Sequence, residues 1–256
     1  MNSPLQFLGF RLSVSMLRAV GQILVLFSAL LVLVSCETTE TAGRKNTART
    51  FNTVVVDAGH GGRDSGATRR YGPPEKIVTL DVAQRLNRKL RESQFRTVMT
   101  RSSDVFIPLE ERVAIGNRQP NSVFVSIHFN DARRRGVHGY ETYYNSAFAM
   151  SLAQRIQRKL LSLPGSSNRG VRPANYRVLR KAAYPSVLVE CGFLSNRGEG
   201  GQAGSAPYRE HLADKISEAI VEERYGAGVY NAPPRLGPPL PPGLTSGAAG
   251  PASGSR

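Results

Sequence analysis

The sequence has few of the cysteines that cross-link small secreted proteins and no apolar run long enough for a membrane-spanning helix. It contains only two cysteines and no tryptophan in 256 residues, so a framework of several disulfides is excluded. Its main apolar run, Ile23–Val34, is shorter than the roughly 20 residues that a membrane-spanning helix needs. Acidic residues are also scarce: 19 Asp and Glu stand against 34 Lys and Arg, a net charge of +15. Such an excess predicts anionic partners.

The apolar run belongs to a predicted export signal, residues 1–35. Arg11 and Arg18 precede the run without any acidic residue, which is typical of secretory signals. The run ends in Leu33-Val34-Ser35-Cys36, which resembles a bacterial lipobox. That resemblance implies that Cys36 is lipidated and becomes the first mature residue. Cleavage by an ordinary signal peptidase and an uncleaved signal anchor are the alternatives.

Composition divides the remaining chain into three parts. Residues 36–50 are polar and rich in Thr, and we predict that they form a lipid-anchored tether. Residues 51–225 have the size of one catalytic domain. Residues 226–256 repeat Pro, Gly, Ser and Ala, a composition that buries too little apolar surface to fold, so we predict a disordered tail.

The export signal limits the partners that the positive charge can have. Lipid head groups, cell-wall polymers and peptide carboxylates are the anions of the cell envelope, whereas nucleic acid is improbable for an exported chain without a nucleic-acid motif. We expect a membrane-anchored monomer. Glu37 rather than Asp after Cys36 favours the periplasmic face of the outer membrane in a two-membrane bacterium.

Hydrophobic patterns predict an α/β fold. Three short runs rich in Val and Ile, at 53–56, 122–127 and 186–189, are typical of strands buried on both faces. Apolar residues recur at helical spacing between and after them, over Val78–Leu90, Leu152–Leu160 and Leu212–Ile220. We therefore predict a single domain with a mostly parallel or mixed central sheet of about six strands, flanked by helices.

Chemically active side chains follow the predicted strands. His60, His128 and Glu190 each come at a strand end, where ligands gather in such sheets, and Glu75 falls in the first turn of a helix after Pro73-Pro74. A zinc enzyme that hydrolyses an amide needs three protein ligands and a nearby carboxylate. The sequence therefore predicts that His60, Glu75 and His128 bind one Zn²⁺ and that Glu190 is the general base. Each residue taken alone is more often a core histidine or a capping acid.

Other polar residues near these strands have simpler interpretations. Cys191 is predicted to be a small buried residue rather than a nucleophile. Asp57 either supports the site from behind or shapes the glycine-rich turn after it. Glu141 competes for a carboxylate role, but the alternation around it lets it be the polar face of an edge strand. We predict structural or surface roles for His138 and His211.

A series of ordered motifs resembles the zinc-dependent N-acetylmuramoyl-L-alanine amidases that cut peptidoglycan. The matching stretches are Val54–Ala67, Glu75–Leu86, Thr100-Arg101, Leu109–Arg118, Val123–Asn130, Gly139–Tyr144, Arg169–Arg180 and Pro185–Asn196. The resemblance implies that His60, Glu75 and His128 bind zinc and that Glu190 is the catalytic carboxylate. It also implies hydrolysis of the amide between N-acetylmuramic acid and L-alanine, for cell-wall remodelling or daughter-cell separation.

Two departures from the family pattern lead to further expectations. The interval between His128 and Glu190 leaves no room for the inserted helix that covers the zinc in some members, so we expect an open site controlled by the tether or an activator protein. The segment 197–205 is rich in Gly, and we expect it to be flexible. The alternatives in function are a zinc peptidase of the stem peptide and a non-catalytic wall-binding lipoprotein.

Overall fold

The computed structural model describes residues 43–134 and 136–228. The predicted signal peptide, Cys36 and most of the tail lie outside the described residues. The strands are β1 (Thr53–Ala58), β2 (Arg96–Met99), β3 (Ser122–Asn130), β4 (Tyr140–Tyr144), β5 (Asn168–Pro173) and β6 (Ser186–Phe193). The helices are α1 (Glu75–Glu92), α2 (Leu109–Asn117), α3 (Ala147–Leu160), α4 (Arg177–Arg180), α5 (Arg197–Ala203) and α6 (Ala206–Tyr225). All of them belong to the compact unit that begins at Lys45.

The strands form one mixed sheet in the order β2-β1-β3-β6-β4-β5. Strands β2, β1, β3 and β6 run parallel to one another. Strand β4 pairs with β6 in the antiparallel sense, and β5 runs parallel to β4. The carboxyl ends of β1, β3 and β6 therefore meet at one edge, beside the amino end of β4. The predicted fold class is confirmed.

Helices cover both faces of the sheet, as the doubly buried strands require. Val54 and Val56 of β1 face the main core, to which α1, α3 and α6 contribute. Val55 points to the other face and packs with residues of α2 and α4. The alternation of neighbouring valines between two cores explains why the predicted strands are almost wholly apolar.

Helix α1 forms where the apolar spacing predicted it. Val78, Val82, Leu86 and Leu90 are fully buried along one stripe. The preceding Pro74 has an extended backbone, and Glu75 occupies the first turn, where a negative charge is favourable. The same helix that packs on the core thus holds Glu75 over the carboxyl edge of the sheet.

The segment after β6 differs from the expectation of flexibility. Residues 197–203 form α5, because the Asn196 side chain accepts hydrogen bonds from the backbone N–H groups of Gly198 (2.9 Å) and Glu199 (3.2 Å). The Glu199 carboxylate in turn accepts the N–H groups of Phe193 (2.7 Å) and Gly139 (2.8 Å). These bonds fix α5 to β6 and to the residue before β4, so the glycine content does not make the segment loose.

The described residues just before β1 already contact the domain. Thr47 is buried and donates a hydrogen bond to the Ser122 carbonyl (2.6 Å), and the Lys45 N–H donates to the Ala183 carbonyl (2.8 Å). The boundary at residue 51 between tether and domain stays a prediction. In the described part of the chain, no helix combines the length and the apolar character needed to span a bilayer.

Candidate metal centre

The fold brings three predicted ligands together at the carboxyl edge of the sheet. His60 follows β1, His128 lies near the end of β3 and Glu75 begins α1. Glu75 Oε1 lies 3.0 Å from His60 Nε2 and 3.1 Å from His128 Nδ1. The donor atoms of the three residues all lie within 4.8 Å of one another, which makes them a candidate metal site.

The loop that carries His60 is tightly bent. His60 itself has a left-handed backbone (φ 61°), which is costly for a residue other than glycine and recurs at functional sites. Gly59 is needed for a different reason: a Cβ at this position would lie 2.4 Å from the His128 ring. The close approach of the two histidines therefore depends on the missing side chain of Gly59.

Two buried arginines hold this loop through its carbonyl groups. Arg101 donates from Nε to Ala58 O (2.9 Å) and from Nη2 to Gly59 O (2.7 Å). Arg112 of α2 donates from Nη1 to Ala58 O (2.6 Å) and from Nη2 to His60 O (2.6 Å). The strained backbone around His60 is thus fixed by hydrogen bonds from charged donors, which are stronger than neutral ones.

Asp57 supports the same arrangement from below. Its carboxylate pairs with Arg112 (Oδ1–Nη1 2.7 Å) and accepts hydrogen bonds from Thr100 and Ser126 (both 2.6 Å). Burial favours the neutral acid, but Arg112 and the two hydroxyl donors outweigh burial and lower the pKa of Asp57. Asp57 therefore acts on the site through Arg112, closer to the predicted support from behind than to a turn cap.

Glu75 is held in place by the backbone as well as by the histidines. Its Oε2 accepts the Ala67 N–H (2.8 Å) and its Oε1 accepts the Phe129 N–H (3.0 Å). Burial alone would raise the pKa of Glu75, but the hydrogen bonds and charges of His128 and His60 hold it well below its ordinary value. Glu75 is a fixed, ionised carboxylate that can offer an oxygen atom to a metal ion.

Asp64 fixes the orientation of the His60 ring. Asp64 Oδ2 lies 2.9 Å from His60 Nδ1, which leaves Nε2 directed at Glu75. Burial works against the charged form of His60, but Glu75 and Asp64 outweigh burial and raise its pKa. A carboxylate on the far nitrogen is the usual support of a metal-binding histidine.

Glu190 lies beside this cluster in the sheet. Its position in β6 is directly opposite His128 in β3, and on its other side it is paired with Glu141 in β4. Its Oε2 is buried and has no hydrogen-bond partner within the described structure. Burial, followed by the charges of Glu75 and Glu141, raises the pKa of Glu190 well above its ordinary value.

The alternation around Glu141 suggested the polar face of an edge strand, and that interpretation is wrong. Strand β4 lies inside the sheet between β6 and β5, and Glu141 is only 2% exposed. Arg169 Nε lies 3.5 Å and Arg172 Nε 3.3 Å from its carboxylate oxygens. Glu141 is thus a buried, paired carboxylate next to the unpartnered one of Glu190.

The other residues weighed from the sequence lie outside the cluster. Cys191 is fully buried, and burial raises the pKa of its thiol well above its ordinary value, which disfavours the nucleophilic thiolate. His138 contacts the Gly136 carbonyl at an exposed position.

Sequence reasoning gave no role to several residues that shape the site, namely Asp64, Arg101, Arg112 and Glu199. Asp64, Arg101 and Arg112 fall inside motifs that carried the family resemblance, and that position was the available signal.

The donor set fits a catalytic zinc ion. Two imidazole nitrogens and one carboxylate are a known combination for such sites, and they leave a position open. Ligands placed tetrahedrally at 2.0–2.1 Å from one ion are about 3.3 Å apart, close to the two nitrogen-to-oxygen distances here. The side chains of His60 and His128 are 22% and 20% exposed, so the site can be reached from solvent. Fold and site together define an α/β domain with a candidate metal site at the carboxyl edge of its sheet.

Comparison with known proteins identifies the family. The sequence profile of the N-acetylmuramoyl-L-alanine amidase family matches residues 54–222. The chain therefore belongs to this family, and these residues are its amidase domain. The resemblance inferred from the motifs is confirmed.

Individual relatives agree with this assignment. The chain is 38% identical over 173 residues to N-acetylmuramoyl-L-alanine amidase LytC of Bacillus subtilis, an alignment that covers 66% of this chain and 35% of LytC. It thus spans about a third of that relative. The solved structure of the amidase AmiC2 of Nostoc punctiforme matches with a TM-score of 0.64 at 38% identity, covering 66% of this chain and 95% of AmiC2.

A third relative was solved with a partner. The CwlD amidase from Clostridioides difficile, in complex with the GerS lipoprotein, matches with a TM-score of 0.64 at 29% identity, covering 67% of this chain and 98% of the matched one.

Proposed function

We propose that this protein is a zinc-dependent enzyme that hydrolyses the amide between N-acetylmuramic acid and L-alanine in peptidoglycan. The observation that carries the proposal is the convergence of His60, Glu75 and His128 at one point, with Glu190 in register beside His128. Family membership supports the reaction, and the family is generally zinc-dependent.

His60, Glu75 and His128 would hold the ion. When bound, zinc supplies Lewis acidity for activating water and polarising an amide carbonyl. Asp64 keeps Nε2 of His60 facing Glu75, and the hydrogen bonds that Glu75 accepts from the backbone N–H groups of Ala67 and Phe129 keep its carboxylate fixed. The site is therefore preorganised before substrate arrives.

Glu190 would move the protons. As the general base it accepts a proton from the attacking water, and it then delivers that proton to the nitrogen of the departing L-alanine as the C–N bond breaks. Its Oε2 has no other hydrogen bond to give up. Its raised pKa favours holding the proton between the two transfers.

We further propose that the enzyme acts at the cell envelope as a lipoprotein anchored through Cys36, on the periplasmic face of the outer membrane, in wall remodelling or daughter-cell separation. The export signal and the Leu33–Cys36 pattern support this. Metabolic labelling with a fatty acid should mark the wild-type protein and leave Cys36→Ala unlabelled.

A partner protein is a separate proposal. The complex of the CwlD amidase with the GerS lipoprotein is the reason to test for one here. Co-purification from detergent-solubilised envelopes, followed by activity measurement with and without the captured protein, addresses whether an activator is needed.

The test of the reaction is product analysis by mass spectrometry. Residues 37–256 are purified, stripped of metal with a chelator and incubated with purified peptidoglycan, with and without added zinc. The AmiC2 chain corresponds almost entirely to this domain, so the soluble piece is expected to fold. We expect zinc-dependent release of stem peptides that begin with a free L-alanine amine.

Two outcomes would redirect the proposal. Cleavage within the stem peptide would identify a zinc peptidase instead. Wall binding by metal-replete protein without any release, even after addition of envelope extract, would leave a wall-binding lipoprotein.

A further inference from the structure

The edge of the sheet opposite the metal centre has a distinct composition. Because β1, β3 and β6 run parallel, their amino ends lie together at that opposite edge. Ser122 opens β3 six residues before His128, a separation of about 20 Å along the strand. Contacts at Ser122 therefore lie on the far side of the domain from the site.

Hydrogen bonds join the segments of this far edge into one surface. Asn52 accepts the Arg96 N–H (3.0 Å), and Arg96 Nη2 donates to Gln119 Oε1 (3.2 Å). Asn117 then bonds with both Lys181 O (3.0 Å) and the Ala183 N–H (2.8 Å). We call this surface, formed by residues 45–52, 91–96, 117–121 and 181–185 with Arg224, the basic edge.

Positive charge dominates the basic edge. Its only acidic residue is Glu92. Six of its basic side chains are exposed, namely Lys45, Arg49, Arg91, Arg96, Arg118 and Lys181. Arg224 is half-buried and donates to Phe51 O (2.8 Å), which places the end of α6 here too. The carboxyl edge differs, because there the acids Asp64, Glu75, Glu141 and Glu190 offset the arginines, namely Arg101, Arg112, Arg169 and Arg172.

The compact unit also begins at this edge. Its first residue, Lys45, bonds to Ala183, and Thr47 bonds to Ser122. Lys45 lies only nine positions after the predicted lipid attachment at Cys36, a reach of at most about 30 Å when fully extended. A bilayer holding that lipid would lie closer to the basic edge than to the metal centre.

We propose that the basic edge is a surface that binds anionic phospholipid and holds the domain with its metal centre directed away from the bilayer. The lipid contact rests on the charge and position of this edge. The orientation rests in addition on the proposed anchoring. A surface of this charge attracts anionic head groups over about one Debye length, so it complements a short tether.

Vesicle sedimentation of residues 37–256, which lack the lipid, tests the contact. We expect binding to vesicles of 30 mol% phosphatidylglycerol in phosphatidylcholine, little binding to pure phosphatidylcholine, and loss of binding at high salt. The test variant is Arg49→Gln/Arg118→Gln/Lys181→Gln. Each basic residue near an anionic surface contributes about fivefold, so the variant should lose on the order of 100-fold in partition coefficient.

A matched control carries the same loss of charge on other exposed arginines, as Arg133→Gln/Arg158→Gln/Arg197→Gln. We expect it to retain most of the binding, and both variants to keep the wild-type unfolding temperature. Equal loss in both variants, equal binding to neutral vesicles, or binding to anionic wall polymer but not to vesicles would overturn the proposal. Release of L-alanine-terminated peptides, measured on the same samples, reports separately on the proposed reaction.

Discussion

Two carboxylates on the same face of the sheet, Asp57 and Glu190, have opposite surroundings. Asp57, beneath the His60 loop, is paired with Arg112 and accepts two hydroxyl hydrogen bonds, and these partners lower its pKa. Glu190 lies two residues further toward the carboxyl edge in the sheet register. Its Oε2 has no hydrogen-bond partner in the described structure, its neighbours include carboxylates, and its pKa is raised. Desolvation by burial raises the pKa of both acids, so the partners decide the net direction of each shift.

The largest expected difference between Asp57 and Glu190 is in their contribution to the free energy of unfolding. Asp57→Ala leaves Arg112 buried without its counter-charge, which should lower the free energy of unfolding by about 3–5 kcal/mol. Glu190→Gln removes an unpartnered carboxylate, so we expect it to change the free energy of unfolding by less than about 1 kcal/mol, or to raise it. Urea unfolding of both metal-free variants measures the difference. Similar losses in the two would contradict the contrast.

Metal affinity gives the next effect. Asp64→Asn keeps the size of the side chain but weakens the hydrogen bond that orients His60, and loss of such a partner typically costs 10–100-fold in metal affinity. Competition with a chromogenic chelator measures the zinc dissociation constant. Asp104→Asn, on the neighbouring loop, is the matched control, because Asp104 contacts Gly62 and Lys76 instead of a ligand. Equal affinities in wild type and Asp64→Asn would exclude the orienting role.

The lowered pKa of Asp57 predicts a pH dependence of stability. Its carboxylate stays ionised in the folded protein at pH values where the unfolded chain is already protonated, so its contribution is full above the ordinary pKa of 3.8. The contribution is lost as the pH falls below that value toward the folded pKa. Asp57→Asn should therefore show a flatter decline of the unfolding free energy below pH 4 than the wild type. Parallel declines would show that other acids carry the effect.

The smallest effect concerns the neighbour of Glu190. Burial is the main cause of the raised pKa of Glu190, and the charges of Glu75 and Glu141 add to it. Glu141→Gln removes one of these charges, so the acid limb of the pH profile of kcat should move to lower pH. Glu110→Gln, on the first turn of α2, should leave the profile unchanged, because the charges that raise the pKa of Glu190 are those of Glu75 and Glu141. A shift to higher pH would contradict the assigned charge interaction.

The sequence allowed the regular parts of the fold to be predicted, for physical reasons. Helix α1 and strands β1, β3 and β6 bury continuous or periodic apolar residues, and such patterns are visible along the chain. Strand β5 has the sequence Asn-Arg-Gly-Val-Arg-Pro, without alternation, and it forms at the edge of the sheet by pairing with β4. Helix α5 depends on bonds from Asn196 and Glu199 that outweigh its glycine content.

The candidate site was predictable in its members but not in its supports. Histidines and acids after buried strands are a local signal, whereas the pairing of Asp57 with Arg112 joins residues 55 positions apart. Strand β4 is an inner strand because β5 pairs with its outer edge, and the alternation around Glu141 does not reveal this pairing. The local pattern therefore showed the site residues, whereas their supporting contacts join residues that are far apart in the sequence.

The most direct test of the central claim measures zinc content and peptide release on one sample of Glu190→Gln. We predict about one zinc ion per chain, as in the wild type, with the release of L-alanine-terminated peptides reduced by roughly 10²–10⁴-fold, the range of general acid–base catalysis. Retained activity would show that Glu190 does not transfer the proton. Lost zinc would show instead that Glu190 supports the metal. The assignment of metal binding to the other three residues and of proton transfer to Glu190 would then be wrong.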